Sequence, residues 1–175
     1  MKKSGFTHES AKNEGKEWYT PPEVFQAIGL TYDMDTASPG ADIVPWIPAT
    51  VHLTIKEDGL KTPWPTAARV FTNPPYGKDT PAWVKKFVEH HHGVMLVFAR
   101  VDTTWFHDYA VKSDCIVFMR GRIKFLRPDG TPGDSAGAGS MLLGCGLDCV
   151  DALKKSKLGY FVRNAGVLGT FGRPI

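Results

Sequence analysis

Arg69-Val70-Phe71-Thr72-Asn73-Pro74-Pro75-Tyr76-Gly77 carries an apolar segment straight into a polar–Pro–Pro–aromatic corner. The segment reads as a short strand. The two prolines end it, because a proline cannot donate to a β-ladder and each ring locks a φ angle. The corner gathers three groups: the Asn73 side-chain carbonyl, the Pro74 backbone carbonyl, whose direction the Pro74-Pro75 pair fixes, and the flat ring of Tyr76. Two acceptors beside an aromatic plane suit a planar heterocycle with an exocyclic amino group. Asn-Pro-Pro is also an ordinary turn sequence, so the corner has to be read with its neighbours.

Working outward, Pro21-Pro22 opens a helix over Glu23–Ile28 that Gly29 stops, and Leu30–Asp35 reads as a strand. Residues 39–50 hold Pro39, Pro45 and Pro48 and read as loop. Thr80 caps and Pro81 starts a helix running to about His91, with the basic run His90-His91-His92 at its end, where cationic side chains suit the dipole. Val94–Ala99 is a continuous apolar run, as expected of a strand covered on both faces. Thr103–Ala110 reads as helix, Cys115–Met119 and Met141–Leu143 as strands, and Asp148–Lys155 as a short helix. This alternation predicts an α/β fold with a mainly parallel sheet flanked by helices. Such sheets bind ligands at the carboxyl ends of their strands, where Asp35 and Asn73 both fall. Residues 1–16 are polar and aperiodic and are expected to form a mobile arm, leaving 17–175 as one domain. The Gly/Pro-rich stretch 127–139 is expected to be a flexible loop, either a disordered surface connector or a DNA-contacting or lid loop that orders on binding.

Composition bounds the function. The 175 residues are 42% hydrophobic, enough for a real core, and no apolar run reaches the roughly 18–20 residues of a membrane span. The start, Met1-Lys2-Lys3-Ser4-Gly5, lacks the apolar region of a secretory signal, so a cytoplasmic protein is expected. Three cysteines, Cys115, Cys145 and Cys149, argue against a disulfide framework. Cys145-x-x-x-Cys149 has no matching second pair for zinc, so no metal site is expected. The net charge of +3 is compatible with nucleic acid without requiring it.

Glu17-Trp18-Tyr19-Thr20-Pro21-Pro22, Asp33-Met34-Asp35-Thr36-Ala37-Ser38, Asp58-Gly59-Leu60 followed by Trp64, the Asn73-Pro74-Pro75-Tyr76 corner, Thr103-Thr104-Trp105-Phe106-His107 and Gly121-Arg122-Ile123-Lys124-Phe125 occur in that order. As an ordered set they resemble the phage-type DNA N-6-adenine methyltransferases, over about Trp18 to Gly144. The resemblance implies a Rossmann-like class I methyltransferase fold, S-adenosylmethionine as cofactor and DNA as partner, in the cytoplasm of a phage-infected or lysogenic bacterium, with protection from restriction as the role. It implies that Asn73, Pro74, Pro75 and Tyr76 are catalytic, and that Trp18, Tyr19, Thr20, Pro21, Asp35, Ala37, Asp58 and Asn73 bind cofactor. Ser38-Pro39-Gly40 stands where most relatives of the larger class carry a Gly-rich turn, so glycine patterns do not identify the cofactor site. Arg122, Lys124 and Arg127 are the expected nucleic-acid contacts, with Lys85, Lys86, Arg100 and Arg120 as further candidates for a phosphate path. RNA adenine, DNA cytosine, a protein glutamine amide and a non-catalytic nucleic-acid-binding module are the alternatives. The sequence leaves monomer and homodimer open.

Overall fold

The central sheet begins with three short parallel strands whose register fixes where the corner sits. In the computed structural model, which describes residues 18–127 and 130–164, β1 (Tyr32–Asp35) lies between β2 (Ala49–His52) and β3 (Val70–Thr72). β3 pairs in parallel with β4 (Gly93–Phe98). β5 (Cys115–Met119) is separated from β4 by β8 (Ser140–Cys145), which runs antiparallel to both, and β9 (Gly159–Arg163) closes the edge antiparallel to β5. The resulting order is β2-β1-β3-β4-β8-β5-β9. The two remaining strands, β6 (Lys124–Leu126) and β7 (Pro132–Ser135), pair with each other. This is the α/β, Rossmann-like arrangement expected, with β8 and β9 reversed in a sheet otherwise of one direction.

Alternate residues of the strands feed two apolar layers. Phe71, Val94, Leu96, Val117 and Leu142 pack with α1 (Pro22–Ile28) and α4 (Leu147–Lys155). Val70, Met95, Val97, Ile116 and Leu143 pack with α2 (Thr80–His90) and α3 (Thr104–Asp108) on the other face. A strand buried on both faces needs this unbroken run of apolar residues. Cys149 belongs to the first layer and Cys145 to the second, so the sheet separates them.

Local chemistry sets the helix limits. Pro22 opens α1, and Gly29 closes it in the left-handed conformation (φ 70°) with its N–H donating to the Phe25 carbonyl. The N-cap of α2 is Asp79; Thr80, expected as the cap, is the first helical residue, and its hydroxyl accepts from the Gly77 N–H at 3.1 Å. The helix ends in the histidine run as expected, His91 taking the left-handed cap position. Three expectations are corrected. Residues 49–50, read as loop, begin β2. The 127–139 stretch contains β7, so it is half of a hairpin rather than a structureless loop. The sheet also gains β9, which the sequence reading did not include. The arm 1–16 lies outside the described residues. No described helix is long and apolar enough to cross a membrane.

Candidate active site

Asp35 and Asn73 meet because their strands are neighbours in register. Asp35 is paired with Phe71 across β1 and β3, and Asn73 follows two residues later. The two strand ends are tied by the Thr36 N–H to the Phe71 carbonyl (3.0 Å) and by the Thr36 and Thr72 hydroxyls at 2.8 Å. Both residues stand at carboxyl ends of strands as expected, and the structure makes the two strands neighbours.

Asn73 is oriented from behind. Its Nδ2 donates to the Trp18 carbonyl (3.3 Å) and to Thr20 Oγ1 (3.2 Å). That N-terminal element is fixed in turn: Tyr19 and Leu126 exchange backbone hydrogen bonds at 3.0 and 2.9 Å, and the Trp46 indole donates to the Thr20 carbonyl. With both amide hydrogens directed toward Trp18 and Thr20, Oδ1 faces the corner. There it accepts the Tyr76 hydroxyl at 3.2 Å. Burial raises the Tyr76 pKa, so the phenol is a donor at neutral pH. Pro74 is buried and Pro75 exposed.

The Tyr76 ring is not an open platform. It stacks on Phe98, with centroids 3.8 Å apart and planes 12° from parallel. Phe98 ends β4, the strand beside β3. Sequence reasoning missed it, because its relation to the corner exists only once β3 and β4 pair. One ring face and the Asn73 carbonyl are therefore both engaged by protein.

Asp35 is the buried carboxyl of the site, 2% exposed. Burial pushes its carboxyl up to about 7, against the opposing pull of the Ala37 N–H and the Ser38 hydroxyl. The Ala37 bond, to Oδ1, is long at 3.3 Å. His52 Nδ1 stands 3.8 Å from Oδ2 and is engaged with Ser38 Oγ at 2.8 Å. A carboxyl so poorly compensated favours a ligand carrying positive charge or hydroxyl donors. Asp58 is a different kind of group: partly exposed, its carboxylate held below the usual range mainly by a 2.7 Å pairing with Lys61. Its turn nevertheless touches the site, since Gly59 packs directly on the backbone of Thr36.

Arg122 and Lys124 line a groove of about 390 Å³ with Pro21, Val24 and Pro132. Arg122 also donates to the Ala136 carbonyl at 2.6 Å, which ties it to the chain leaving β7. Arg127 is exposed at the hairpin end. Lys86 does not join a phosphate path, because its ammonium is turned to the carbonyls of Gly59, Leu60 and Thr62. Lys85 pairs loosely with Glu89. His92, Asp148 and Cys149 bring one potential ligand atom each within 4.8 Å of one another. The Arg69 guanidinium already holds Asp148 at 2.6 and 2.8 Å, and burial pushes the Cys149 thiol up to about 12. That cluster reads as an ion pair at the amino ends of the strands.

A family model for DNA N-6-adenine-methyltransferase (Dam) matches residues 7–145. The chain belongs to the Dam family. The match spans every candidate residue named above, from Trp18 to Arg127, and the activity of the family is N6-methylation of adenine in DNA. Comparison with the curated proteins and with the solved structures gave no match. For this Dam-family chain the geometry now bears on how an adenine amine would be handled.

Proposed function

We propose that this protein transfers a methyl group from S-adenosylmethionine to the exocyclic amine of adenine in DNA, with residues 17–175 as the catalytic domain. The observation that supports the reading is the oriented corner: Trp18 and Thr20 take the Asn73 amide hydrogens and leave Oδ1 as an acceptor beside Tyr76. The cofactor supplies an electrophilic methyl on a sulfonium. Asp35 and Ala37, with the Trp18–Pro21 element and Asp58, would hold it. The under-compensated carboxyl of Asp35 fits a cationic or hydroxyl-rich ligand.

The work left to the chain is to make the amine a nucleophile. Its lone pair is delocalised into the ring. Asn73 Oδ1 and the Pro74 carbonyl each accept one amine hydrogen, which favours a pyramidal nitrogen with its lone pair free. A bound cofactor would supply the methyl and leave as its neutral thioether, and the amine nitrogen would carry positive charge until its proton passes to water. Both acceptors bind that charge more strongly than they bind neutral adenine, which is differential binding of the transition state. Tyr76 stacks on the base, worth roughly 1–3 kcal/mol, and so offsets much of the few kcal/mol needed to flip it from a duplex. Arg122, Lys124 and Arg127 are the proposed phosphate contacts, and the cytoplasm of an infected or lysogenic cell, with protection from restriction, the proposed setting. Methyl transfer to DNA with nucleoside mass spectrometry tests the reading: 6-methyladenine is expected, and methylcytosine, or label on RNA or protein alone, refutes it.

A further inference from the structure

Lys86 is a partly buried lysine whose ammonium is turned onto the backbone of a neighbouring turn. Its Nζ donates to the carbonyls of Gly59 (2.9 Å), Leu60 (2.8 Å) and Thr62 (2.6 Å). A lysine ammonium has three donors, and three converging carbonyls use all of them. The Trp64 ring lies 4.6 Å from the same nitrogen, and the Trp64 indole donates to the Gly59 carbonyl at 2.9 Å. Three carbonyl dipoles aimed at one point repel each other unless a cation sits there, so the turn needs this charge to keep its shape.

The other side of that turn is the cofactor half of the site. A Cβ built on Gly59 would lie 1.8 Å from the Thr36 carbonyl oxygen. Thr36 is the residue after Asp35, and the Asp35 carbonyl itself accepts from Leu53 N–H at the entrance to the same loop. The loop is therefore clamped between the end of β1 and a lysine of α2, the helix that follows the Asn73–Tyr76 corner. We propose that Lys86 is a positioning residue for cofactor binding: its ammonium fills a cage of backbone carbonyls and presses the Asp58-Gly59-Leu60 turn onto the end of β1. The inference rests on the reading that S-adenosylmethionine is held at Asp35 and Asp58.

Calorimetric titration of the full chain with S-adenosylmethionine tests it, beside a DNA-binding titration and a melting curve. Lys86→Met keeps the stem and removes the donors. It is expected to raise the Kd for the cofactor by roughly 10–100-fold, the size seen when partners that orient ligands are lost, with the Kd for DNA unchanged. Lys86→Ala opens the cage, and propylammonium is expected to recover most of its lost affinity, whereas tetramethylammonium, which has no N–H, is not. A folded Lys86→Met with parental cofactor affinity overturns the inference and leaves the site reading intact. Equal losses for cofactor and DNA, or no recovery by propylammonium, reduce Lys86 to general stability and also overturn it. A parental chain that binds no S-adenosylmethionine overturns the site reading, and this inference with it.

Discussion

Asp35 sets burial against charge, and the outcome depends on pH. Its carboxyl is raised from the ordinary 3.8 to about 7 by desolvation. The unfolded chain therefore ionises this group first, and its contribution to stability is whole below the unfolded value and falls as pH rises toward about 7. Thermal denaturation of the parent and of Asp35→Asn, compared across that window, should show the parent losing stability relative to the variant; a constant difference would contradict the buried carboxyl. If Asp35 holds the cofactor as proposed, binding should have the opposite slope, with the ionised carboxylate as the binding form. Affinity should rise roughly tenfold per pH unit below about 7 and then level, whereas in Asp35→Ala it should be weak and flat. Tyr76 gives a second prediction. Tyr76→Phe removes only the hydrogen bond to Asn73 and should retain most turnover, while Tyr76→Ala should lose roughly 5–150-fold in steady-state kcat/KM for DNA, the equivalent of one base stack. An Ala variant as active as the parent would take the ring out of the site. Asn73 and Asp35 were legible in the sequence because their places depend only on where their own strands end. The orientation of Asn73 by Trp18 and Thr20, the Phe98 stack and the purpose of Lys86 were not, because each joins residues that the sheet or the loops bring together from a distance.

The elements that the sequence hid are those that lean on other elements. β4 and β5 are legible as apolar runs, since both faces are covered. β2 alternates poorly, with two of its four residues exposed, and follows a proline-rich stretch; it exists because β1 offers an edge. β9 is likewise recruited by β5. The β6–β7 hairpin is hidden by glycine and proline, yet its Gly133 is required where it is, as a Cβ there would meet the Trp18 ring at 2.5 Å. That contact makes the hairpin a support for the element that orients Asn73. Replacing the connecting residues 127–131 with a short Gly-Ser linker removes Arg127, a proposed phosphate contact, and keeps both strands, so it should lower DNA affinity while sparing cofactor affinity, with both read by titration; parental DNA affinity would make the segment a mere connector. Gly59→Ala should do the reverse. The turn must move off the Thr36 backbone, so cofactor Kd rises at least tenfold, an effect of about 1.4 kcal/mol, and calorimetry on the folded variant decides it.

Taken as a whole, the molecule places one rim of strand ends, from Asp35 through Asn73 and Phe98 to Arg120 past β5, between a buried acidic group and an exposed basic groove. Net charge of +3 says little about DNA; the position of Arg122 and Lys124 on that groove says more. Each phosphate contact should contribute about 0.9 to the slope of log affinity against log salt, so Lys124→Ala should lower the slope by about one, and an unchanged slope would remove it from the interface. The fold class followed from strand–helix alternation, and the family from motifs spread along most of the chain, because both are properties of order in sequence. The central claim concerns chemistry: the oriented Asn73 carbonyl and its neighbour Pro74 activate an adenine amine. The most direct measurement is methyl transfer from labelled S-adenosylmethionine to duplex and single-stranded DNA by parent and Asn73→Ala, with the nucleosides resolved by mass spectrometry. The account predicts 6-methyladenine from the parent and a loss of about 10²–10³-fold in rate in the variant, the cost of deleting one preorganised hydrogen-bonding group; methylcytosine as product, or full activity in Asn73→Ala, would contradict it.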